Sequence, residues 1–203
     1  MISEKAKKLI LYYEGLDQPS KWPGGSSGVT IGIGYDLGFQ TVAQFENDWR
    51  YYLSAEQMES LSAVIGLKGT AAATASVRFK GIVIRRVDAE RVFTESTLPR
   101  FEIQTREAFP GFDNLPINAQ GALVSLVYNR GPGMRDNSSE DRRREMREIK
   151  ELVETWDGDL ENLRSIADQI RSMKRLWVGK NLGGLLKRRD AEADLIESCI
   201  IAE

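Results

Sequence analysis

One stretch of the chain alternates between apolar residues and small or polar residues, and it limits the folds open to the sequence. In residues 29–35 an apolar side chain falls on every second position, with Thr30, Gly32 and Gly34 between them. This period of two is typical of a half-buried strand or hairpin. Apolar residues in most of the remaining chain recur at helical spacing. The sequence therefore predicts an α+β fold that is mainly α, with a small β-hairpin lobe and a larger helical lobe.

Helix start and stop signals flank the alternating stretch and recur in the middle of the chain. Ser3 is suited to cap a first helix, and Gly15 is suited to end it, which places Glu14 at the helix C-terminus. Asn118 is suited to cap a strongly apolar central helix that Gly131 ends. We find no internal repeat and no low-complexity linker. The 203 residues are therefore predicted to form one domain, 1–203, in which 1–40 hold the N-terminal helix with the β lobe and 41–203 form the helical lobe.

The residue composition removes several classes of catalytic site. The chain has no histidine and one cysteine, which excludes His-based triads, disulfide scaffolds and Cys-based zinc sites within one chain. The net charge is −2, and basic residues are interleaved with acidic ones, which argues against nucleic-acid binding. Any catalytic acid and base must therefore be carboxylates, and we expect neither a metal nor an organic cofactor.

Glu14 is the first candidate among those carboxylates. The negative end of the helix dipole and partial burial would both disfavour its charged form. Cleavage of a glycosidic bond needs a protonated carboxylic acid, because the sugar oxygen is a poor leaving group until it receives a proton. Taken alone, Glu14 is more typical of a solvated helix end than of a catalytic acid, so the neighbouring sequence has to distinguish the two interpretations.

A helix that ends in Glu14-Gly15, followed by a loop and by Thr30-Ile-Gly-Ile-Gly, resembles the phage-type lysozymes, which are muramidases of the glycoside hydrolase family 24 type. Residues 118–131 and 184–196 resemble the central and C-terminal helices of the same family. The resemblance implies a lysozyme-like fold, with Glu14 and Thr30 as catalytic residues. Residues 41–86 and 132–180 match the family poorly.

The second carboxylate departs from the common phage pattern, in which it lies a few residues before the threonine. Positions 18–35 contain no acid. Asp36 follows Thr30 instead, which resembles the arrangement in the pesticin type of muramidase and implies that Asp36 is catalytic. In a straight strand Thr30 and Asp36 would lie roughly 20 Å apart, so we predict a sharp bend at Gly32 and Gly34. Asp17 is the competing carboxylate, which we interpret as a solvated loop acid.

The activity that the resemblance implies is hydrolysis of the β-1,4 bond between N-acetylmuramic acid and N-acetylglucosamine in peptidoglycan. An inverting reaction would place the two carboxyl groups about 6.5–9.5 Å apart. We expect the substrate to contact five further residues: Gly32, Gly34, Tyr35, Asn129 and Arg130. The alternative is an inactive protein that keeps the lysozyme fold as a cell-wall-binding or as a phage or secretion structural component.

The N-terminal residues lack the pattern of a signal peptide, so we expect synthesis in the cytoplasm and action in the periplasm or cell wall after release or injection. The expected binding target is the glycan strand of peptidoglycan, and an immunity protein or a delivery machinery is a candidate partner. We expect a monomer that neither binds nucleic acid nor inserts into a membrane. The sequence leaves open whether the role is phage lysis, a bacteriocin or a secreted effector.

Overall fold

The computed structural model describes residues 1–200 and confirms the fold class, which is α+β and mainly α with one two-stranded antiparallel sheet. In the described residues the strands are β1 (Thr30–Ile31) and β2 (Tyr35–Asp36). The helices are α1 (Glu4–Glu14), α2 (Val42–Trp49), α3 (Ala55–Ser62), α4 (Gly69–Ser76), α5 (Arg86–Val92), α6 (Leu98–Ala108), α7 (Ile117–Arg130), α8 (Arg144–Glu154), α9 (Leu160–Ser172) and α10 (Gly183–Glu197). No helix within residues 1–200 combines the length and the apolar composition that a bilayer span requires.

Helix α1 begins and ends where the sequence predicts. The Ser3 hydroxyl accepts a hydrogen bond from the Ala6 backbone N–H at 3.2 Å, which satisfies one of the donors left over in a first helical turn. Gly15 follows the helix with φ +71°, a conformation that glycine adopts without steric cost. Glu14 is therefore the last residue of α1.

Helix α7 ends as predicted but begins differently. Gly131 follows it with φ +74°, in agreement with the sequence. The predicted cap at Asn118 is wrong, because the helix already begins at Ile117, after Pro116. Proline fixes its own φ near the helical value and is well suited to a helix start. The Asn118 side chain instead donates a hydrogen bond to the Ser198 hydroxyl at 3.0 Å.

The contacts of the chain group it into two compact units, residues 14–99 and residues 1–13 with 100 onward. The sequence placed the subdivision after residue 40, whereas the contacts keep the hairpin together with the four short helices that follow it. The reason is the packing of the hairpin: Tyr35 lies edge-on to Trp49 with ring centroids 5.7 Å apart, and Phe45 lies 6.5 Å from Tyr35.

The second unit is built on α7, whose residues between Ala119 and Tyr128 are buried apart from Gln120. Helix α10 packs on α7 and α9, and α9 packs on α8. Gly121 allows α1 to approach α7, since a Cβ at that position would collide with the Cβ of Ala6. Each fully buried leucine or isoleucine contributes about 1.5–3 kcal/mol, so this apolar contact surface stabilises the unit.

Candidate active site

The hairpin places Thr30 directly opposite Asp36. Strands β1 and β2 pair in antiparallel register, with Thr30 opposite Asp36 and Ile31 opposite Tyr35. Gly32 and Gly34 form the turn with φ +62° and +60°, values that side-chain-bearing residues rarely adopt. Cross-strand partners have Cα atoms about 4.5–5.5 Å apart. The predicted bend is confirmed, and it removes the roughly 20 Å separation of a straight strand.

The segment that follows α1 is bonded to the tip of the same hairpin. The backbones of Asp17 and Gly32 form an antiparallel bridge. The Asp17 nitrogen is 2.7 Å from the Gly32 carbonyl oxygen, and the Gly32 nitrogen is 3.0 Å from the Asp17 carbonyl oxygen. The Asp17 carboxylate also accepts a hydrogen bond from the Gly34 N–H at 3.2 Å. Glu14 lies three residues before Asp17, and its charge acts on the Asp17 carboxylate.

The Asp36 carboxylate closes the loop that precedes β1. Its Oδ1 accepts hydrogen bonds from the N–H groups of Gly28 at 2.9 Å and Gly38 at 2.8 Å, and its Oδ2 is 3.1 Å from the Gly28 nitrogen. A Cβ at Gly28 would collide with the Gly38 nitrogen and with Oδ1 of Asp36. The absence of a side chain at Gly28 therefore brings its N–H within reach of the carboxylate.

The carboxylates of this region influence one another. Burial, together with the negative charges of Glu14 and Asp36, raises the pKa of Asp17 to about 6, and the hydrogen bond from Gly34 acts in the opposite direction. Burial also raises the pKa of Asp36, although the N–H groups of Gly38 and Gly28 and the charge of Lys68 act in the opposite direction. Acids whose pKa values are raised by burial are typical of sites for general acid and base chemistry.

Thr30, the cross-strand partner of Asp36, is buried, with 5% of its surface exposed. Its hydroxyl is 3.4 Å from the Gly28 carbonyl oxygen, to which it donates a long hydrogen bond. Glu14 is half-buried at the end of α1. The structure thus brings the three predicted catalytic residues, Glu14, Thr30 and Asp36, into one connected region that also holds Asp17.

The interpretation of Asp17 as a solvated loop acid is wrong. Asp17 is half-buried, it is bonded to the hairpin through backbone and side chain, and its pKa responds to both neighbouring acids. In the sequence, the one sign that Asp17 could belong to the site was its position three residues after Glu14. The bridge to Gly32 that makes this spacing meaningful depends on the fold and could not be read from local pattern.

Tyr35 is buried, so the expectation that it contacts the substrate is wrong. Only 2% of its surface is exposed, and its hydroxyl donates a hydrogen bond to Asp48 at 2.8 Å. Gly32 is buried against the Trp49 ring, which a Cβ would approach to 2.9 Å, and the Gly34 N–H already donates to Asp17. These two glycines shape the hairpin, and a contact between either glycine and substrate stays a prediction.

Asn129 and Arg130 belong to the other compact unit. There they line a cavity of about 450 Å³ whose remaining residues are Asp136, Arg142, Arg143, Trp177 and Leu185. Their contact with sugar stays a prediction, and Arg142 and Arg143 are not among the residues that the sequence predicts for the site. Within residues 1–200, no group of three or more acidic or cysteine side chains is arranged to hold a metal ion.

Comparison with known proteins gives no family assignment. No protein-family model matches the chain, and no curated protein is significantly similar to it.

Proposed function

We propose that this protein is a muramidase, which hydrolyses the β-1,4 bond between N-acetylmuramic acid and N-acetylglucosamine in peptidoglycan. The observation that carries the proposal is the hairpin register, in which Thr30 pairs with Asp36, together with the bridge between Gly32 and Asp17, which lies three residues after Glu14. The proposed reaction uses two carboxyl groups, those of Glu14 and Asp36, and the hydroxyl of Thr30.

In the proposed reaction Glu14 is the general acid. Its carboxylic proton passes to the glycosidic oxygen as the bond to the anomeric carbon breaks, which converts the oxygen into a neutral leaving group. Water adds to the anomeric carbon from the opposite face and gives its proton to Asp36, beside the Thr30 hydroxyl. The stereochemical outcome of this scheme is inversion.

Asp17 supports the same reaction electrostatically. The transition state of glycoside hydrolysis carries positive charge on the sugar ring. A carboxylate that is half-buried beside Glu14 and Asp36 stabilises that charge more strongly than one in open water, because the local dielectric constant is lower. Asp17 is also the second candidate for the role that we give to Asp36, which is to accept the proton of the attacking water.

One observation favours the alternative of an inactive protein that keeps this architecture. Both oxygens of Asp36 already lie within hydrogen-bond distance of backbone N–H groups, at Gly28 and Gly38. A carboxylate engaged in this way has a structural role whether or not it activates water. The two functions differ in one respect that can be measured, which is the clearing of peptidoglycan.

A turbidity assay on purified peptidoglycan tests the proposal with the variant Glu14→Gln. Removing the general acid is expected to slow clearing by about 10²-fold or more. The matched control is Glu4→Gln, which changes an exposed acid at the other end of the same helix and is expected to clear at the wild-type rate. Equal clearing by wild type and Glu14→Gln, or no clearing by wild type, would contradict the proposal.

The same assay distinguishes the two aspartates. Asp36→Asn is expected to abolish clearing, and Asp17→Asn to reduce it by a smaller factor. Because Asp36 also closes the Gly28 loop, circular dichroism and urea unfolding must show that Asp36→Asn is folded. If the folded Asp36→Asn protein clears normally while Asp17→Asn does not, the second catalytic carboxylate is Asp17.

A further inference from the structure

The cavity at the end of α7 contains more positive than negative charge. Three arginines line it, Arg130, Arg142 and Arg143, together with the single acid Asp136. Of the three, Arg142 is ion-paired with Glu140 at 3.2 Å, so three positive charges stand against two negative ones. The Asp136 carboxylate is itself engaged, since it accepts the backbone N–H groups of Ser138 at 2.9 Å and Arg142 at 2.7 Å. The cavity therefore presents an uncompensated positive charge to anything that enters it.

Two of these arginines differ from most others in their unit. Within residues 1–200, neither Arg130 nor Arg143 forms an ion pair with a carboxylate. Arg130 donates a hydrogen bond to the carbonyl of Arg142, and Arg143 donates to the carbonyls of Arg130 at 2.6 Å and Gly131 at 3.4 Å. Six nearby arginines are each paired with an acid: Arg144, Arg147, Arg171, Arg175, Arg188 and Arg189.

The Arg130 side chain also has an unused donor. Its Nε is buried, and it makes no hydrogen bond with any atom in the described part of the chain. Its guanidinium lies over the Trp177 ring at 5.1 Å from the centroid, which holds the planar group in place. Burial, together with the charges of Arg143, Arg189 and Arg142, lowers the pKa of Arg130 to about 10, and the charge of Glu145 acts in the opposite direction. Arg130 is still protonated at neutral pH.

We propose that this cavity is a binding site for an oxyanion, a carboxylate or phosphate group carried by a small ligand. A guanidinium recognises either group through two parallel hydrogen bonds. An anion there would relieve the repulsion among the three arginines. The volume of about 450 Å³ exceeds that of a single ion and leaves room for an organic part against Trp177 and Leu185. The inference does not depend on the muramidase proposal.

Titration of the full-length protein with sodium phosphate and, separately, with sodium glutarate tests this site, at constant ionic strength maintained with sodium chloride. Calorimetry measures the affinity, and the ¹H–¹⁵N resonance of the Arg130 Nε–H reports the contact. We expect saturable binding of at least one of the two anions, together with a shift of that resonance. Whichever binds more tightly identifies the preferred group. Absence of saturable binding of both anions by wild type would overturn the proposal.

The variant Arg130→Met keeps the length and apolar packing of the side chain and is expected to weaken binding about tenfold or more. Arg130→Lys retains the charge without the planar fork and is expected to bind with intermediate affinity. The control Arg164→Gln changes an exposed arginine that pairs with Glu161 and should bind like wild type. Wild-type affinity in a folded Arg130→Met protein would also overturn the proposal.

Discussion

Buried and half-buried acids have different partners in the two compact units. In the helical unit Glu192 is fully buried and is bonded to Arg188 at 3.1 Å, to Arg189 at 2.9 Å and to the Ser125 hydroxyl at 2.6 Å. In the hairpin unit Asp17 and Asp36 accept hydrogen bonds from backbone N–H groups of glycines. The first arrangement pairs opposite charges, and the second surrounds a negative charge with neutral donors.

Among these acids, the pKa of Glu145 in the helical unit is lowered, whereas the pKa values of Asp17 and Asp36 in the hairpin unit are raised. Burial would raise the pKa of Glu145 in the helical unit, but the hydrogen bond and charge of Arg175 lower it below its usual value. Burial raises the pKa of Asp17 and Asp36, and the backbone donors offset it only in part. The pairing with Arg175 therefore favours the ionised form of Glu145, whereas burial favours the protonated forms of Asp17 and Asp36.

The largest expected change in stability comes from Glu192→Gln. It leaves the Arg188 and Arg189 guanidiniums buried without the charge of Glu192, which should cost about 3–5 kcal/mol in the free energy of unfolding. Urea denaturation followed by circular dichroism measures it. The control Glu161→Gln removes an exposed ion pair with Arg164 and should cost about 0–1 kcal/mol. Similar small costs for both variants would show that the buried cluster does not stabilise the unit.

A smaller effect is expected from Gly28→Ala in the hairpin unit. The added Cβ collides with the Gly38 nitrogen and the Asp36 carboxylate, so the loop must shift, at about 1–3 kcal/mol. Gly81→Ala is the control, because its Cβ would meet nothing within 4 Å. Clearing of peptidoglycan should fall in Gly28→Ala and persist in Gly81→Ala. A Gly28→Ala protein with wild-type stability would contradict the close approach of these backbones.

The smallest effect is a pH dependence that Asp17 contributes to stability. The folded protein keeps the Asp17 proton up to about pH 6, whereas the unfolded chain releases it near about pH 4. Between these values the folded state binds more protons, so the free energy of unfolding falls as the pH rises. Relative to Asp17→Asn, wild type should lose about 1 kcal/mol from about pH 4 to about pH 7, with solvent screening taken into account.

Urea titrations of wild type and Asp17→Asn at a series of pH values measure this difference. The control Glu59→Gln changes an exposed acid of α3 and should leave the pH dependence of the wild type unchanged. A difference of the opposite sign, in which wild type gains stability over Asp17→Asn as the pH rises, would mean that Asp17 behaves like the paired acid Glu145.

The hairpin could be predicted because its signals are local. The alternation in residues 29–35 indicated a strand, and Gly32 with Gly34 indicated the bend that pairs Thr30 with Asp36. The same alternation also placed Tyr35 on the apolar face with Ile31 and Ile33, so its burial followed from a pattern that was already visible. The expected contact between Tyr35 and the substrate disregarded this pattern, and Tyr35 packs against Trp49 instead.

The features that the sequence did not predict depend on contacts between distant segments. Asp17 acquires its raised pKa from burial against the hairpin and from the charges of Glu14 and Asp36, and none of these follows from its neighbours in the chain. The Arg143 guanidinium reaches the carbonyls at the end of α7 across the loop that precedes α8. That loop has no periodicity from which its path could be read.

Analysis of the products released from purified peptidoglycan tests the central claim most directly. Wild type should release muropeptides with reducing N-acetylmuramic acid ends, identified by mass spectrometry after borohydride reduction. Glu14→Gln should release at least about 10²-fold less in the same time, while Glu4→Gln matches wild type. Reducing N-acetylglucosamine ends, or equal release by wild type and Glu14→Gln, would contradict the assignment of Glu14 as the acid of a muramidase.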